Sequence, residues 1–202
     1  SEGKKVLVCD CDVECPNVHI LLNANLQKQK DVEVFVPEVD KKRCKRCGIC
    51  SRVCKENAIF WVKGNYPLII EDLCTGCGAC FYACPSQALK RKRKKIGEIA
   101  KGSSKGIDIV SGISQVNVSE TGIVVRETKE FAEEVAEGFD YMIIDTAPGT
   151  HCNVVNALVG VKKAFVVTEP TALGVFSLRQ IIPLVKILNL DYSIIINRAG
   201  LI

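Results

Sequence analysis

Short apolar runs, each ending at a polar residue, set the pattern of this chain. They lie at residues 6–9, 141–144, 164–167 and 193–196. Runs this short and this apolar are typical of parallel strands that are covered on both faces. Between them, residues 127–137 place Phe131 and Val135 on one face of a helix. Residues 173–189 form a longer helical stretch that we expect to be kinked at Pro183. The pattern predicts an α/β fold with a mostly parallel sheet.

The polar residues at the ends of these runs are the first candidates for chemistry. Asp10, Asp145 and Asn197 each follow a predicted strand directly, and Asp12 lies two residues beyond Asp10. The carboxyl ends of parallel strands meet at one edge of the sheet, where ligands bind in such folds. A single Asp in that position more often caps a turn or a helix. Three Asp and one Asn at matching positions favour a site for phosphate and a metal ion.

The segment that follows Asp145 gives a second indication, since it reads Asp-Thr-Ala-Pro-Gly-Thr. An Asp after a buried strand can hold Mg²⁺, often through water, in nucleotide hydrolases. The turn at Pro148 and Gly149 can place a backbone N–H near a γ-phosphate and so report its presence. In the segment 10–17, the carboxylates of Asp10 and Asp12 are suited to orient water and approach the metal.

Twelve cysteines change the picture, because eight of them crowd into residues 44–84. The segments 44–59 and 74–89 align without gaps, and both read C-x2-C-G-x-C-x3-C. Three thiolates at this spacing wrap three irons of one cuboidal cluster, and the fourth cysteine opens a helix that points at the other cluster. The repeat therefore predicts two 4Fe-4S clusters in an inserted α+β ferredoxin-like domain.

The same rule divides the eight cysteines into two crossed sets of ligands. The first cluster takes Cys44, Cys47, Cys50 and Cys84, and the second takes Cys74, Cys77, Cys80 and Cys54. Zinc is the alternative, since C-x2-C pairs also bind it, although a third cysteine at this interval is rare at zinc sites. A secreted disulfide scaffold is a further alternative. Such scaffolds are short and poor in core, whereas 48% of this chain is hydrophobic.

Charge is distributed unevenly along the chain. Residues 41–95 hold 14 Lys or Arg and 3 Asp or Glu, whereas the rest holds 13 and 20. Much of the basic surplus lies in the run 90–95, which is either a solvated edge or a docking surface for an acidic redox partner. Nucleic acid binding is the weaker interpretation, because the run has no aromatic platform beside it.

Four segments carry a resemblance to a known family: DCDVECPN at 10–17, DTAPGTHC at 145–152, VTEPTALG at 167–174 and IIINRAG at 194–200. They resemble switch I, switch II and the later strand ends of the MinD/Mrp/ParA-type P-loop ATPases. The chain looks like the subgroup with an inserted two-cluster ferredoxin domain. The resemblance implies a sheet of the P-loop NTPase type, with residues 1–39 and 96–202 forming the ATPase frame and residues 40–95 forming the insert.

The resemblance also implies roles for single residues. Asp10 and Asp12 would serve water activation and Mg²⁺, and Asp145 would support Mg²⁺ ahead of the Pro148–Gly149 turn. Asn197 with Arg198 would flank adenine. The cofactors implied are two 4Fe-4S clusters and, in the full-length protein, ATP with Mg²⁺.

The family's phosphate loop is the element that this sequence lacks, since no Gly-Lys-Ser/Thr occurs in the 202 residues. We expect that loop upstream of Ser1, so that these residues would be an internal piece of a longer protein. The expected protein is a cytoplasmic, homodimeric iron–sulfur ATPase without a membrane span. It would couple nucleotide state to electron transfer or to metallocofactor assembly, with an acidic redox or cofactor-assembly protein as its partner.

Two rival functions are kept open. One is a ferredoxin-type electron carrier built on an ATPase scaffold that does not hydrolyse nucleotide. The other is a spatial-positioning ATPase, which would need a C-terminal amphipathic membrane helix. An upstream phosphate loop would distinguish the ATPase from the plain carrier.

Four cysteines lie outside the repeat: Cys9, Cys11, Cys15 and Cys152. Cys9 falls within a predicted strand and is expected in the core. The other three lie near the two switch segments, where we expect them to be buried packing residues, since free Cys is commonly buried. The alternative is a transient metal or cluster site shared across a dimer.

Overall fold

The computed structural model describes residues 3–118 and 120–200. Its strands are β1 Val6–Asp10, β2 Gln27–Val39, β3 Ile59–Phe60, β4 Leu68–Ile69, β5 Leu89–Ser104, β6 Ile107–Ser114, β7 Tyr141–Asp145, β8 Lys163–Thr168 and β9 Asp191–Ile196. Its α-helices are α1 Val18–Leu21, α2 Ile49–Val53, α3 Ala79–Ala83, α4 Gly122–Glu134, α5 Cys152–Leu158 and α6 Ala172–Ile187. A 3₁₀ turn covers Glu71–Leu73.

The central sheet has five strands in the order β2-β5-β6-β1-β7. Strand β1 runs parallel to both β6 and β7, and the antiparallel strands β5 and β2 extend the sheet on the β6 side. Leu7 and Cys9 of β1 are fully buried, as are Ile109 and Val110 of β6. The fold is therefore mixed α/β with parallel strands at its centre, which confirms the predicted class.

Helix α4 covers the core of this sheet. We predicted a helix over 127–137, but it begins at Gly122 and ends at Glu134. Val124 and Val125 in its first turns are fully buried against the sheet core. Residues of this kind have low intrinsic helix propensity, so their helical state depends on tertiary packing that the sequence pattern does not contain.

The strands at the other end of the chain are more exposed than predicted. Strands β8 and β9 pair only with each other among the described residues, in parallel. On β7, Tyr141 and Ile143 are 58% and 53% exposed, and on β8 Phe165 and Val167 are 63% and 60% exposed. The prediction that these strands are covered on both faces is therefore wrong for the described part of the chain. Helix α6 packs on β8, and Pro183 lies inside it, at the predicted position.

A long antiparallel hairpin carries the cysteine repeat. Strands β2 and β5 pair from Gln27 opposite Lys101 to Val39 opposite Leu89, and all eight repeat cysteines lie in the segment that joins them. The predicted boundary at residue 95 falls inside β5, so the hairpin belongs to the central sheet and to the cysteine module at once. The division into 1–39, 40–95 and 96–202 stays a prediction.

Among the described residues, none of the helices combines the length and the apolar character that crossing a bilayer requires.

Candidate cluster and nucleotide sites

The two cysteine segments have the same backbone as well as the same sequence pattern. Gly48 and Gly78 precede the short helices α2 and α3 with φ of 72° and 78°, in the left-handed region that favours glycine. Cys54 and Cys84 end these helices with φ of −77° and −79°. The internal repeat is therefore a structural repeat, and its two helices pack against each other.

Two cavities lie between the repeated segments. The first is lined by Cys44, Cys47, Cys50 and Cys84. The second is lined by Cys54, Cys74, Cys77 and Cys80. Each cavity thus receives three thiols from one repeat and the fourth from the other, which is the crossed grouping that the spacing predicts. The chemistry of the donor set, four thiols around a cavity, suits an iron–sulfur cluster.

The thiols of the repeat influence one another electrostatically, within each group and between the two groups. Burial raises the pKa of the Cys50 thiol, and Cys44 and Cys84 raise it further. Burial likewise raises the pKa of Cys80 to about 11, with smaller contributions from Cys74, Cys50 and Cys77. Four thiols held this close cannot all ionise without a cation between them, so the cavities are matched to a positively charged iron core.

Cys84 is the exception among these thiols. Burial alone would raise its pKa, but hydrogen bonds outweigh burial and hold the pKa below its usual range. The backbone N–H of Ala88 donates to Cys84 Sγ at 3.2 Å, and Ser86 Oγ lies 3.7 Å from the same sulfur. Such N–H···S bonds stabilise a thiolate and tune the potential of a bound cluster.

No group of three or more His, Cys, Asp or Glu side chains in residues 3–118 and 120–200 is placed to hold a single metal ion. A zinc site requires four donors about 2.0–2.3 Å from one centre. In a cuboidal cluster each thiolate binds its own iron, so the four sulfurs stand around a larger body.

The predicted nucleotide residues on the central sheet are brought together. Asp10 ends β1 and lies opposite Asp145 at the end of β7 and opposite Ser111 on β6. Burial raises the pKa of both Asp10 and Asp145. Repulsion from Asp145 adds to the effect on Asp10, and Asp12 adds to the effect on Asp145. Three carboxylates therefore lie together at the carboxyl ends of the central strands.

Asp10 also has a structural role at this edge. Its side chain is fully buried, and it accepts hydrogen bonds from the backbone N–H of Asp12 at 3.3 Å and of Val18 at 3.1 Å. It therefore closes the turn of the 10–17 segment, as a strand-end Asp commonly does. The neighbouring Ser111 Oγ is buried and has no hydrogen-bond partner among the described residues, a polar atom that the sequence pattern did not single out.

The other predicted nucleotide residues lie on loops. Pro148 and Gly149 are exposed in the loop between β7 and α5, where Gly149 has φ of 106°. Asn197 follows β9, and its N–H donates to the carbonyl of Thr168 at the end of β8. Arg198 forms an ion pair with Glu169 at 3.1 Å. Asn197 and Arg198 thus belong to the β8–β9 sheet, apart from the carboxylates of the central sheet.

A polar network that the sequence analysis missed joins the regions of the 10–17 and 145–152 segments at the start of α4. Thr121, the residue before α4, donates to Glu14 Oε1 at 2.8 Å and accepts from Asn153 Nδ2 at 2.8 Å. Glu14 lies in the 10–17 segment, and Asn153 lies in α5 directly after the 145–152 segment. The contacts have sequence separations above 30, so no local signal indicates them.

The start of α4 also lies near the second cysteine group. One cavity is lined by Cys74 and Thr75 together with Val118, Glu120 and Ile123. Cys74 packs against the hydrophobic core of the sheet. The loop that carries it is held against β2, since a Cβ on Gly76 would lie 3.1 Å from Val34 Cβ.

The basic run 90–95 is largely neutralised within the molecule. Five of its six residues form ion pairs with carboxylates on β2 and around the repeat: Lys90 with Asp40, Lys92 with Glu71, Arg93 with Glu33, Lys94 with Asp72, and Lys95 with Asp31 and Glu98. The sixth, Arg91, lies over the rings of Phe35 and Phe81. Of the two interpretations left open by the sequence, these contacts favour a structural edge over a docking surface.

The four remaining cysteines divide into two kinds. Cys9 and Cys11 are buried, with their sulfurs 3.5 Å apart, and the hydrogen bond between them together with burial raises the pKa of Cys9. Cys15 and Cys152 are exposed, so the prediction that they are buried packing residues is wrong. Cys15 lies within the 10–17 segment and Cys152 ends the 145–152 segment at the start of α5, and both side chains are at the surface.

Comparison with known proteins supports the cysteine module first. Residues 43–88 match a family model described as a 4Fe-4S dicluster domain, and residues 66–113 match a second model with the same description. The pyruvate synthase subunit PorD of Methanothermobacter marburgensis is 38% identical over 61 residues, which cover 30% of this chain and 70% of PorD. The chain therefore contains a dicluster iron–sulfur module.

Two relatives match along the whole chain. The uncharacterized protein MJ0579 of Methanocaldococcus jannaschii is 36% identical over 201 residues, which cover 99% of this chain and 71% of MJ0579. The uncharacterized protein MJ0578 of the same organism is 30% identical over 203 residues, covering 100% of this chain and 70% of MJ0578.

Among solved structures, the septum site-determining protein MinD of Pyrococcus horikoshii, complexed with Mg-ADP, aligns with a TM-score of 0.50 and 15% identity. The alignment covers 99% of this chain and 60% of that MinD chain. At this identity the likeness concerns the fold.

Fold and cysteine groups together define an α/β protein of the MinD fold that carries a 4Fe-4S dicluster module. The chain belongs to the family that includes MJ0579 and MJ0578.

Proposed function

We propose that this protein is an iron–sulfur ATPase in which nucleotide state is coupled to electron transfer through two 4Fe-4S clusters. The observation that carries the proposal is the start of α4. There Thr121 binds Glu14 of the 10–17 segment and Asn153 directly after the 145–152 segment. Val118, Glu120 and Ile123 line a cavity with Cys74. A shift of either segment would move the start of α4, and this movement would change the surroundings of the second cysteine group.

In this proposal the two crossed cysteine groups hold the clusters. Cys44, Cys47, Cys50 and Cys84 would bind one, and Cys54, Cys74, Cys77 and Cys80 the other. Bound clusters supply storage and transfer of single electrons. The chain's own contribution is to exclude bulk water with the two packed helices and to donate backbone N–H groups to sulfur, as Ala88 does to Cys84.

The nucleotide would bind at the carboxyl ends of the parallel strands. Asp12 and Asp145 would orient water and Mg²⁺, with Asp10 fixing the turn that presents Asp12. Pro148 and Gly149 would lie at the γ-phosphate, and Asn197 with Arg198 at the adenine. Burial raises the pKa of Asp10 and Asp145, and repulsion from neighbouring carboxylates adds to it; a cation at this site would offset both effects.

The phosphate loop is proposed to come from outside these 202 residues, on a strand that enters between β7 and β8. Each of these strands has one described partner, β1 for β7 and β9 for β8, so each offers a free edge within the described ranges. The exposed apolar side chains of these strands, among them Ile143 and Val167, indicate that more chain packs here. A further parallel strand would pair with both free edges and join the two sheets.

The intact protein is proposed to act in the cytoplasm as a homodimer, with a protein partner that exchanges electrons or receives a metallocofactor. Twelve free thiols suit a reducing compartment. The apolar surface of the chain and the exposed Cys15 and Cys152 beside the switch segments are compatible with contact to a second copy.

The test is ATP turnover by the cluster-loaded protein that includes its phosphate loop. Asp145→Asn should reduce turnover by at least about a hundredfold if that carboxylate supports Mg²⁺. Asp191→Asn, at an exposed position at the start of β9, is the matched control and should retain turnover. Equal turnover in the two variants would refute the role of Asp145.

A second candidate function, an electron carrier without ATP turnover, is favoured by one observation. Both carboxylate oxygens of Asp10 are already occupied by backbone N–H groups, as in a purely structural turn. A protein that binds eight irons and is reduced reversibly, but hydrolyses no ATP with its phosphate loop in place, would establish this candidate instead.

A further inference from the structure

The two cysteine loops are equal in backbone and opposite in charge. Positions 41–43 and 45–46, which surround Cys44, carry Lys, Lys, Arg, Lys and Arg. The equivalent positions around Cys74, thirty residues later, carry Glu71, Asp72, Leu73, Thr75 and Gly76. The shared backbone does not require the two loops to differ in charge. Each loop must therefore have its own reason for the charges that it carries.

The acidic charges of the second loop are used inside the molecule. Glu71 pairs with Lys92 at 2.8 Å, and Asp72 pairs with Lys94 at 2.8 Å. These contacts hold the 3₁₀ turn before Cys74 onto β5, and Gly76 lies against Val34 of β2. The second loop is therefore attached to the ATPase sheet by its charges and by its packing.

The five cations of the first loop have no such partners. All five side chains are exposed, and none forms an ion pair within the described ranges. Arg46 and Lys41 lie over the Tyr66 ring, at 4.2 Å and 5.7 Å from its centroid. Lys42, Arg43 and Lys45 are exposed, and Lys45 also lines the cavity of Cys44 and Cys47.

We propose that this cationic loop, Lys41 to Arg46, is the docking surface for an acidic electron-carrier protein. The inference rests on the proposed cluster at Cys44, Cys47, Cys50 and Cys84. The cluster that these four cysteines would hold would accept one electron from the reduced centre of the carrier, which would be oxidised by one electron, with no proton or atom transferred. Unpaired cations around a redox centre steer a carrier with carboxylates around its own centre into a productive orientation.

A protein fits this surface better than a nucleic acid does. Binding of single-stranded nucleic acid combines cations with aromatic faces on which bases stack. Tyr66 is the aromatic ring among these cations, and Arg46 lies over its face while also donating to its hydroxyl at 3.0 Å. The ring is thus occupied by the loop itself, and charge is what the surface presents.

The experiment measures binding of an acidic plant-type ferredoxin, which carries one 2Fe-2S cluster, to the cluster-loaded chain by isothermal calorimetry without nucleotide. The test variant is Lys42→Gln/Arg43→Gln/Lys45→Gln, whose side chains make no hydrogen bond or ion pair within the described ranges. The matched control is Lys90→Gln/Lys92→Gln/Arg93→Gln, which removes the same charge from the internally paired run on β5. Iron content is measured first for every protein.

The test variant should bind the ferredoxin at least about tenfold more weakly than the unmodified chain at low salt, and the difference should shrink as the ionic strength rises. The control should bind within about threefold of the unmodified chain, because its cations are already neutralised by neighbouring carboxylates. Lys42→Arg/Lys45→Arg, which keeps the charge, should retain binding.

Equal weakening in the test and control variants would overturn the proposal, because net charge alone would then explain it. Undetectable binding by the unmodified chain, or tighter binding to a single-stranded oligonucleotide than to the ferredoxin, would overturn it as well. An unmodified chain that takes up no iron would count against the cluster assignment instead. Intact ferredoxin binding by a protein that shows no ATP turnover in the separate turnover assay would count against the ATPase alone.

Discussion

Cys54 and Cys84 distinguish this repeat from two independent metal loops, because each lines the cavity of the other repeat. The spacing of the cysteines was sufficient to predict this exchange, since ligand geometry is set by short loops and short helices. The pairing of the charges in the run 90–95 could not be predicted in the same way. The run 90–95 is conspicuous in the sequence, but its ion pairs depend on which residues the β2–β5 register and the distant 71–72 turn bring near it.

Two double substitutions test the crossed ligand sets. Cys44→Ser/Cys84→Ser removes two ligands from one proposed cluster, so about four irons per chain should remain. Cys74→Ser/Cys84→Ser removes one ligand from each, so both clusters should be lost or weakened and iron should fall well below four. Iron and acid-labile sulfide analysis of anaerobically prepared protein gives the counts. The opposite order of iron contents would contradict the crossed assignment, and zinc in place of iron would contradict the clusters themselves.

Gly48 and Gly78 offer a matched pair for the packing of the repeat. Both have positive φ, so alanine should cost about 1–2 kcal/mol at either position. A Cβ on Gly48 would overlap the Trp61 ring, which its own hydrogen bond to Asn65 holds in place, whereas a Cβ on Gly78 would lie 3.8 Å from Phe81. Gly48→Ala should therefore cost about 1–3 kcal/mol more than Gly78→Ala. Denaturant midpoints of the cluster-loaded variants measure the difference, and equal midpoints would refute the proposed clash.

The buried carboxyl of Asp10 should make the unfolding free energy depend on pH. Burial raises its pKa from the ordinary value of 3.8, so the folded chain holds this proton more tightly than the unfolded chain. The stability that protonation of Asp10 contributes is thus fully present below 3.8 and is lost as the pH rises through the folded pKa. Between those two values, the unfolding free energy of the unmodified protein should fall with rising pH relative to Asp10→Asn. Chemical unfolding from just below pH 3.8 upward tests this, with Asp191→Asn as the exposed control. Parallel pH curves for the unmodified protein and Asp10→Asn would contradict it.

Helix α4 connects several parts of the molecule. It covers the central sheet and borders the loop of Cys74. Thr121, just before it, contacts Glu14 of the 10–17 segment and Asn153 next to the 145–152 segment. The sequence pattern predicted the second half of the helix, where Phe131 marks an apolar face. Its first turns contain Gly122, Val124 and Val125, which a propensity argument assigns elsewhere. Burial against the sheet overrides that propensity, and it is these turns that hold the contacts to the switches.

The close seating of α4 on β6 can be tested at Gly112. A Cβ there would overlap Thr128 Oγ1 and lie 2.7 Å from Val13 Cγ1. Gly112→Ala should therefore destabilise the protein by about 1–3 kcal/mol. Adding Thr128→Ala should make the double variant less unstable than the sum of the two single variants, because the overlapping hydroxyl is gone. Additive losses in unfolding free energy would show that α4 and β6 are not in close contact there.

As a whole, the molecule consists of a MinD-type frame with the cysteine module at the end of a hairpin that is continuous with the central sheet. The α/β class and the module were predictable because each leaves a periodic signal in the sequence. The separation of β8–β9 from the central sheet and the exposure of β7 and β8 were not, because strand periodicity carries no information about which neighbours cover a strand. The Thr121 network was equally hidden, since its partners are distant in sequence.

Coupling between nucleotide and clusters is tested most directly by the reduction potential of the cluster-loaded protein, with its phosphate loop, in the presence of Mg-ATP and of Mg-ADP. A coupling free energy of 1–3 kcal/mol, typical of linked sites, corresponds to a shift of about 40–130 mV for one electron. We expect a shift in this range, carried by the group of Cys54, Cys74, Cys77 and Cys80, and we expect Thr121→Val to abolish most of it while iron content is unchanged. Identical potentials with the two nucleotides, in protein shown to bind both, would contradict the account.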